Sequence, residues 1–223
     1  NSAINLIKKT IPKRSIKKQL ARSGLVDPFK SLFKEIEFET TSYCNRKCNY
    51  CPNVEYERFG ADSDFFMPEN IFKTLIQQLK DMQFEGKIAP HLYGEPLIDP
   101  RMLEWIAYMR KHLPSSKLKI VTNADYLTEN KYKALRSAGL DVLFISKHSK
   151  KLKKATLKLL DSLSKDELEE HIVLNDFYTD FNDDQSMFTN RGGDIEIEKK
   201  QNSLPPIWCG YATYPVINTF GDI

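Results

Sequence analysis

Between Glu35 and Phe177 the chain switches repeatedly between two periodicities, and this alternation constrains the fold more than any other feature. "EIEFETTS" (35–42), "KIAPHLY" (87–93), "LKIVTNA" (118–124), "DVLFIS" (141–146) and "HIVLNDF" (171–177) are rich in β-branched and aromatic residues and read as strands. "MPENIFKTLIQQLKDM" (67–82), "DPRMLEWIAYMRKH" (99–112), "TENKYKALRSAG" (128–139) and "KKLKKATLKLLDSL" (150–163) read as helices. Pro68 suits a first turn, and Ile71, Leu75 and Leu79 keep one face apolar. Asp99 and Thr128 are predicted caps, and Gly139 a stop. Strands alternating with helices imply parallel strands joined by helical crossovers. Eight such units would close a barrel of about 250 residues. Five predict an α/β partial (β/α) barrel, an open curved sheet that binds ligands at the C-terminal ends of its strands.

A three-part organisation is expected. Residues 1–34 form a basic helical extension, with nine Lys and Arg against one acid in a chain of net charge +3. Such an arm can bind nucleic acid or an anionic surface. Ile7, Ile11, Ile16, Leu20 and Leu25 argue instead for a helix packed on the domain, and the lack of aromatics before Phe29 weighs against nucleic acid. Residues 35–180 form the barrel. After Phe177 the composition shifts to the polar, turn-rich "YTDFNDDQSMFTNRGGD", and residues 181–223 form a linker and small C-terminal element. The final "YPVINTFGDI" reads as a strand, a turn at Gly221 and the start of a second strand, so a longer natural chain is expected. No run of about 18 apolar residues could span a membrane. Four cysteines, three of them clustered, make no disulfide framework, and a reducing cytoplasmic setting is expected.

Those three, Cys44, Cys48 and Cys51, lie in "YCNRKCNYCPN" just after the first strand. Spacing C-x3-C-x2-C presents three thiolates from one short loop. Structural zinc usually takes four protein ligands in paired knuckles. Three thiolates without a nearby His suit a [4Fe–4S] cluster with one iron left open. Three merely buried cysteines would be the bland alternative, but thiols seldom cluster without a metal.

This pattern resembles the radical S-adenosylmethionine (radical SAM) enzymes, which carry C-x3-C-x2-C after the first strand of a partial (β/α) barrel. Later strand ends extend the resemblance: "YGEP" (93–96) is similar to the second-strand motif, "VTNA" (121–124) to the third, and "FISKHS" (144–149) ends the fourth. The resemblance implies that the open iron chelates the methionine moiety of SAM and that one electron splits the sulfonium to give a 5′-deoxyadenosyl radical. It further implies that Tyr50, Gly94, Glu95, Asn123, Ser146 and His148 line the SAM site, with Glu95 offering its carboxylate to the SAM ammonium. Ala124 stands where the motif usually has Gly. "PPIWCGYATYPVINTFGDI" resembles the start of the auxiliary-cluster element of the SPASM and twitch subfamilies, truncated here, with Cys209 as first ligand of a second Fe–S cluster.

Within that subfamily the motifs are most similar to enzymes that oxidise a secondary alcohol of a sugar or cyclitol to a ketone. The likeness implies substrate contacts from Tyr93 and Arg191 ("TNRGGD"), and a reductant such as flavodoxin or ferredoxin. Arg191 would orient the hydroxyl, since an arginine pKa above about 12 makes a poor base. Val121 stands where those enzymes have an aromatic. His91, His112 and His171 read as packing or surface residues, with no metal-ligand spacing. The rival readings are a peptide-modifying SPASM enzyme, a base-modifying enzyme holding RNA through residues 1–34, and a non-catalytic Fe–S or zinc module. A module has no need of the Gly-Glu-Pro and Thr-Asn strand ends.

Overall fold

Strand and helix follow one another along the chain as the periodicities dictate. A computed structural model describes residues 33–48, 51, 53, 66–178 and 216–221. In chain order these form β1 (Glu35–Phe38), α1 (Glu69–Asp81), β2 (Lys87–Ala89), a 3-10 turn (Pro96–Ile98), α2 (Met102–His112) and β3 (Lys117–Thr122). Then come α3 (Glu129–Ser137), β4 (Val142–Ser146), α4 (Lys154–Ser162), α5 (Lys165–His171), β5 (Ile172–Asn175) and β6 (Val216–Ile217). The strands make one parallel sheet in the order β5-β4-β3-β2-β1-β6.

Side chains alternate across a strand, so the two faces of this sheet differ in chemistry. Ile36, Phe38, Ile88, Leu118, Ile120 and Leu143 are almost wholly buried, each contributing about 1.5–3 kcal/mol. Phe38 meets Phe72 of α1 at 6.0 Å between ring centroids, and Phe72 stacks on Trp105 of α2 at 4.0 Å. That face therefore carries the helices. The opposite face of β1 shows Glu35 and Glu37. The Lys119 ammonium of β3 pairs with Glu35 and lies 4.0 Å from Glu37. His91 Nε2, beyond the end of β2, lies 3.3 Å from Glu37 Oε1.

Four details depart from the expectations. The sheet has six strands rather than five: Val216–Ile217, expected to open a separate hairpin, pairs in parallel with β1, Glu37 opposite Val216 and Phe38 opposite Ile217. The turn after it is present, with Gly221 at φ 85°. Asp99 does not cap α2. The N-cap is Arg101, whose backbone N–H and guanidinium both donate to the Asp99 carboxylate at 2.9 Å. "SKDELEE" holds a further helix, α5, started by a capping box between Ser164 and Glu167. Finally, β1 and β2 stop short, because residues 39–42 and 90–93 leave the sheet to build loops. Thr128 caps α3 through Lys131 N–H, as expected, and Gly139 adopts φ 109° against the Arg110 side chain.

Candidate active site

The site grows from the C-terminal ends of β1, β2 and β3, and the first residue to organise it is Glu39. Its side chain is fully buried, and Oε1 accepts hydrogen bonds from the backbone N–H groups of Tyr93 and Gly94, both 3.1 Å. The Glu95 N–H donates to the Tyr43 carbonyl at 2.8 Å. These bonds press the loop after β2 onto the loop that carries the cysteines. A Cβ on Gly94 would stand 1.7 Å from the Thr41 carbonyl oxygen. The close approach that glycine permits is thus to the chain's own backbone.

Glu95 is turned inward. Oε1 accepts from the Thr122 hydroxyl (2.6 Å) and the Leu97 N–H (3.0 Å), and Oε2 from the Asn123 N–H (2.8 Å). Burial raises its carboxyl above the usual carboxylate range, and these hydrogen bonds partly offset that. Sequence reasoning gave Glu95 to the SAM ammonium. In this structure it joins the end of β2 to the end of β3.

Cys44, Cys48 and Cys51 are joined in no disulfide, and each is half-buried. The Arg46 N–H points at Cys44 Sγ (3.4 Å), and Asn123 Nδ2 lies 3.9 Å from the same sulfur. Burial pushes the Cys44 thiol up to about 11, against the Arg46 N–H, and Glu95, Cys48 and Cys51 push in the same direction as burial. A set of thiolates in such surroundings calls for a cation. Among the described residues no three His, Cys, Asp or Glu side chains converge on one ion. The donor set fits an iron–sulfur cluster, with N–H groups placed to steady its sulfur ligand.

Asn123 ties the cysteine loop to the turn after β3. Its Nδ2 donates to Asn45 Oδ1 at 3.0 Å, and its Oδ1 accepts the Asp125 N–H at 2.9 Å. Asp125 in turn accepts two bonds from Arg46 and one from Asn45, all 2.7 Å. Burial would raise the Asp125 carboxyl, but the Arg46 and Asn45 hydrogen bonds and the Arg46 charge hold it below the usual range. Ala124, where Gly was expected, sits at φ 61°. The turn keeps the left-handed conformation despite the side chain, at a cost of about 1–2 kcal/mol.

Ser146 is buried at the end of β4. His148 stacks on Phe177 at 5.4 Å. Burial, helped by the Arg46 charge, lowers His148 to about 4, so it is neutral at physiological pH. The structure thus brings Tyr93, Gly94, Glu95, Asn123, Ser146 and His148 to the same end of the sheet as Cys44, Cys48 and Cys51. Tyr50, Arg191 and Cys209 lie outside the described residues, as do residues 1–32 of the basic arm. Sequence reasoning missed Glu39, Arg46, Asp125 and the Glu37–His91 pair. The signal for the glutamates was visible: Glu35, Glu37 and Glu39 alternate along one strand, which marks its second face as polar.

The model of the radical SAM superfamily matches residues 38–170. The S-adenosyl-L-methionine-dependent 2-deoxy-scyllo-inosamine dehydrogenase of Niallia circulans is 35% identical over 118 residues, 53% of this chain and 46% of that protein. The tungsten-containing aldehyde ferredoxin oxidoreductase cofactor-modifying protein of Pyrococcus furiosus is 29% identical over 115 residues, 51% of this chain and 30% of that one. The crystal structure of BtrN in complex with AdoMet and 2-DOIA superposes with a TM-score of 0.69 at 28% identity, covering 84% of this chain and 70% of that one. The matched regions thus span less than half the length of these two curated relatives.

Proposed function

The chain belongs to the radical SAM superfamily, and from that premise we propose that it is the catalytic barrel of a dehydrogenase that oxidises a secondary alcohol of a sugar or cyclitol to a ketone. The observation that carries this reading is the 35% identity to the 2-deoxy-scyllo-inosamine dehydrogenase. The loop clamps described above support it, since they hold three thiols beside the ends of β2 and β3.

A [4Fe–4S] cluster and SAM are the cofactors of this family, and when bound they supply a radical that takes a hydrogen atom from carbon. Cys44, Cys48 and Cys51 would hold the cluster. Tyr50, Gly94, Glu95, Asn123, Ser146 and His148 form the rim toward SAM, and Glu95 also fixes the strand ends. Tyr93 and Arg191 hydrogen-bond the substrate, Arg191 orienting its hydroxyl. Cys209 is the first ligand of an auxiliary Fe–S cluster completed by residues of a longer protein. A flavodoxin or ferredoxin supplies the electron. Among the described residues no helix is long and apolar enough to cross a membrane.

The test uses full-length protein, reconstituted anaerobically with iron and sulfide, then given dithionite, SAM and 2-deoxy-scyllo-inosamine. Mass spectrometry should show 5′-deoxyadenosine and a product two mass units lighter than the substrate, and Cys48→Ala should form neither. 5′-Deoxyadenosine without ketone, across a panel of aminocyclitols and sugars, would overturn the dehydrogenase reading.

A further inference from the structure

Oxidation of an alcohol to a ketone releases a hydrogen atom, a proton and an electron, and the rim residues named above offer no base for the proton. Arg191 is protonated at any working pH, and His148 is shielded by Phe177. The sheet face turned away from the helices holds another candidate. Glu37 of β1 lies on it, because its neighbours Ile36 and Phe38 face the helices and its own carboxylate meets Lys119 of β3 and His91. His91 stands two residues before Tyr93 and three before Gly94, so the loop fastened by Glu39 carries it at the sheet end where the cysteines lie. Its Nε2 is sealed from solvent, lies 3.3 Å from Glu37 Oε1 as a charge-pair contact, and among the described residues makes no hydrogen bond. That leaves Nδ1 as the nitrogen able to take up a proton. A carboxylate behind one ring nitrogen fixes the tautomer and stabilises the imidazolium formed at the other.

We propose that His91 is the general base that accepts the substrate hydroxyl proton, with Glu37 as its positioning residue. The inference rests on the dehydrogenase reading above. The hydrogen atom on the carbinol carbon goes to the SAM-derived adenosyl group. The hydroxyl proton goes to His91 Nδ1 as the C=O double bond forms. The remaining electron leaves to a one-electron acceptor of the iron–sulfur class. Among the described residues, the charged groups around the imidazole include Glu37 from β1, Lys119 from β3, which tempers the Glu37 charge, and Glu35 beyond it. Glu39 lies in the same loop layer, holding the Tyr93 and Gly94 N–H groups.

The experiment compares wild type, His91→Gln and Glu37→Gln as full-length reconstituted proteins, with 2-deoxy-scyllo-inosamine as probe. Iron content and cluster absorbance establish that the variants are loaded. His91→Gln should lose ketone formation by about 100-fold or more while still forming 5′-deoxyadenosine, and the acid limb of the kcat/KM profile should vanish. Glu37→Gln should lower the ketone rate and leave 5′-deoxyadenosine formation in place, because the ring is no longer held with its Nδ1 free. A second readout needs no turnover: in histidine-labelled protein without cofactors, the 15N NMR tautomer signature of His91, assigned by its loss in His91→Gln, should show the proton on Nε2 and change in Glu37→Gln. A loaded His91→Gln enzyme with wild-type ketone rate and pH profile would overturn the assignment, as would a His91 tautomer indifferent to Glu37. No ketone from the wild type, despite 5′-deoxyadenosine, would overturn the dehydrogenase reading and this assignment with it.

Discussion

Gly94→Ala is the sharpest test of how the site is held together. The added methyl would stand 1.7 Å from the Thr41 carbonyl oxygen and 2.8 Å from its carbon. Both atoms are backbone, so no flexible side chain can swing aside. The loop after β2 must lift from the cysteine loop, and three hydrogen bonds lie in the path of that movement. Two run from the Tyr93 and Gly94 N–H groups to the Glu39 carboxylate, and one from the Glu95 N–H to the Tyr43 carbonyl. Bonds to a charged group are worth about 1.5–3 kcal/mol each and a neutral one about 0.5–1.5. With some relaxation the loss should be about 3–5 kcal/mol, the upper range for one substitution. For a chain of this size that lowers Tm by roughly 6–20 °C. Urea and thermal unfolding followed by circular dichroism give the stability. Iron retained after anaerobic reconstitution, measured at a temperature where both proteins are folded, reports the cysteine loop and should fall. Destabilisation under about 1 kcal/mol with full iron content would refute the claim that contact between these two loops builds the site.

Three further outcomes follow from the same geometry. His148 has its pKa held at about 4, below the ordinary 6.5, so the unfolded chain takes the proton first as pH falls. Its contribution is complete above about pH 6.5 and is lost progressively toward pH 4. Allowing for solvent screening, wild type should lose about 2 kcal/mol more than His148→Phe between pH 7 and pH 4.5 in urea unfolding. Asp125→Asn leaves the Arg46 guanidinium without its carboxylate and should lower stability by about 1–3 kcal/mol, with weaker retention of iron when the reconstituted protein is challenged with a chelator. At Ala124, relief of the left-handed strain offsets the lost methyl, so Ala124→Gly should unfold within about 1 kcal/mol of wild type. Ala124→Val, β-branched at the same φ, should lose more than about 2.

The motifs located the site, while its internal connections are contacts between residues far apart in the chain. Thr128 and Gly139 bound α3 as their local chemistry dictates, because capping and positive φ depend on a few neighbouring residues. The contacts that Glu95 and Gly94 make within the chain were not legible, for the opposite reason. A carboxylate at a strand end reads the same whether it faces a ligand or the next strand. Only the pairing of β2 with β3 brings Thr122 and Asn123 to Glu95, and only the approach of the cysteine loop puts the Thr41 carbonyl where a methyl would stand. Arg46 reads as an ordinary charged residue between cysteines until the turn after β3 sets Asp125 against it, a separation of 79 residues. β6 shows the same limit: two residues of strand propensity do not say which sheet they join, and the choice of the β1 edge is tertiary. What the sequence by itself determined is the order of elements, the two unlike faces of the sheet and the loop that carries three thiols, since period, caps and cysteine spacing are local. What only the tertiary structure decided is which polar groups face one another at the strand ends, because that depends on register and on loops meeting across the sheet.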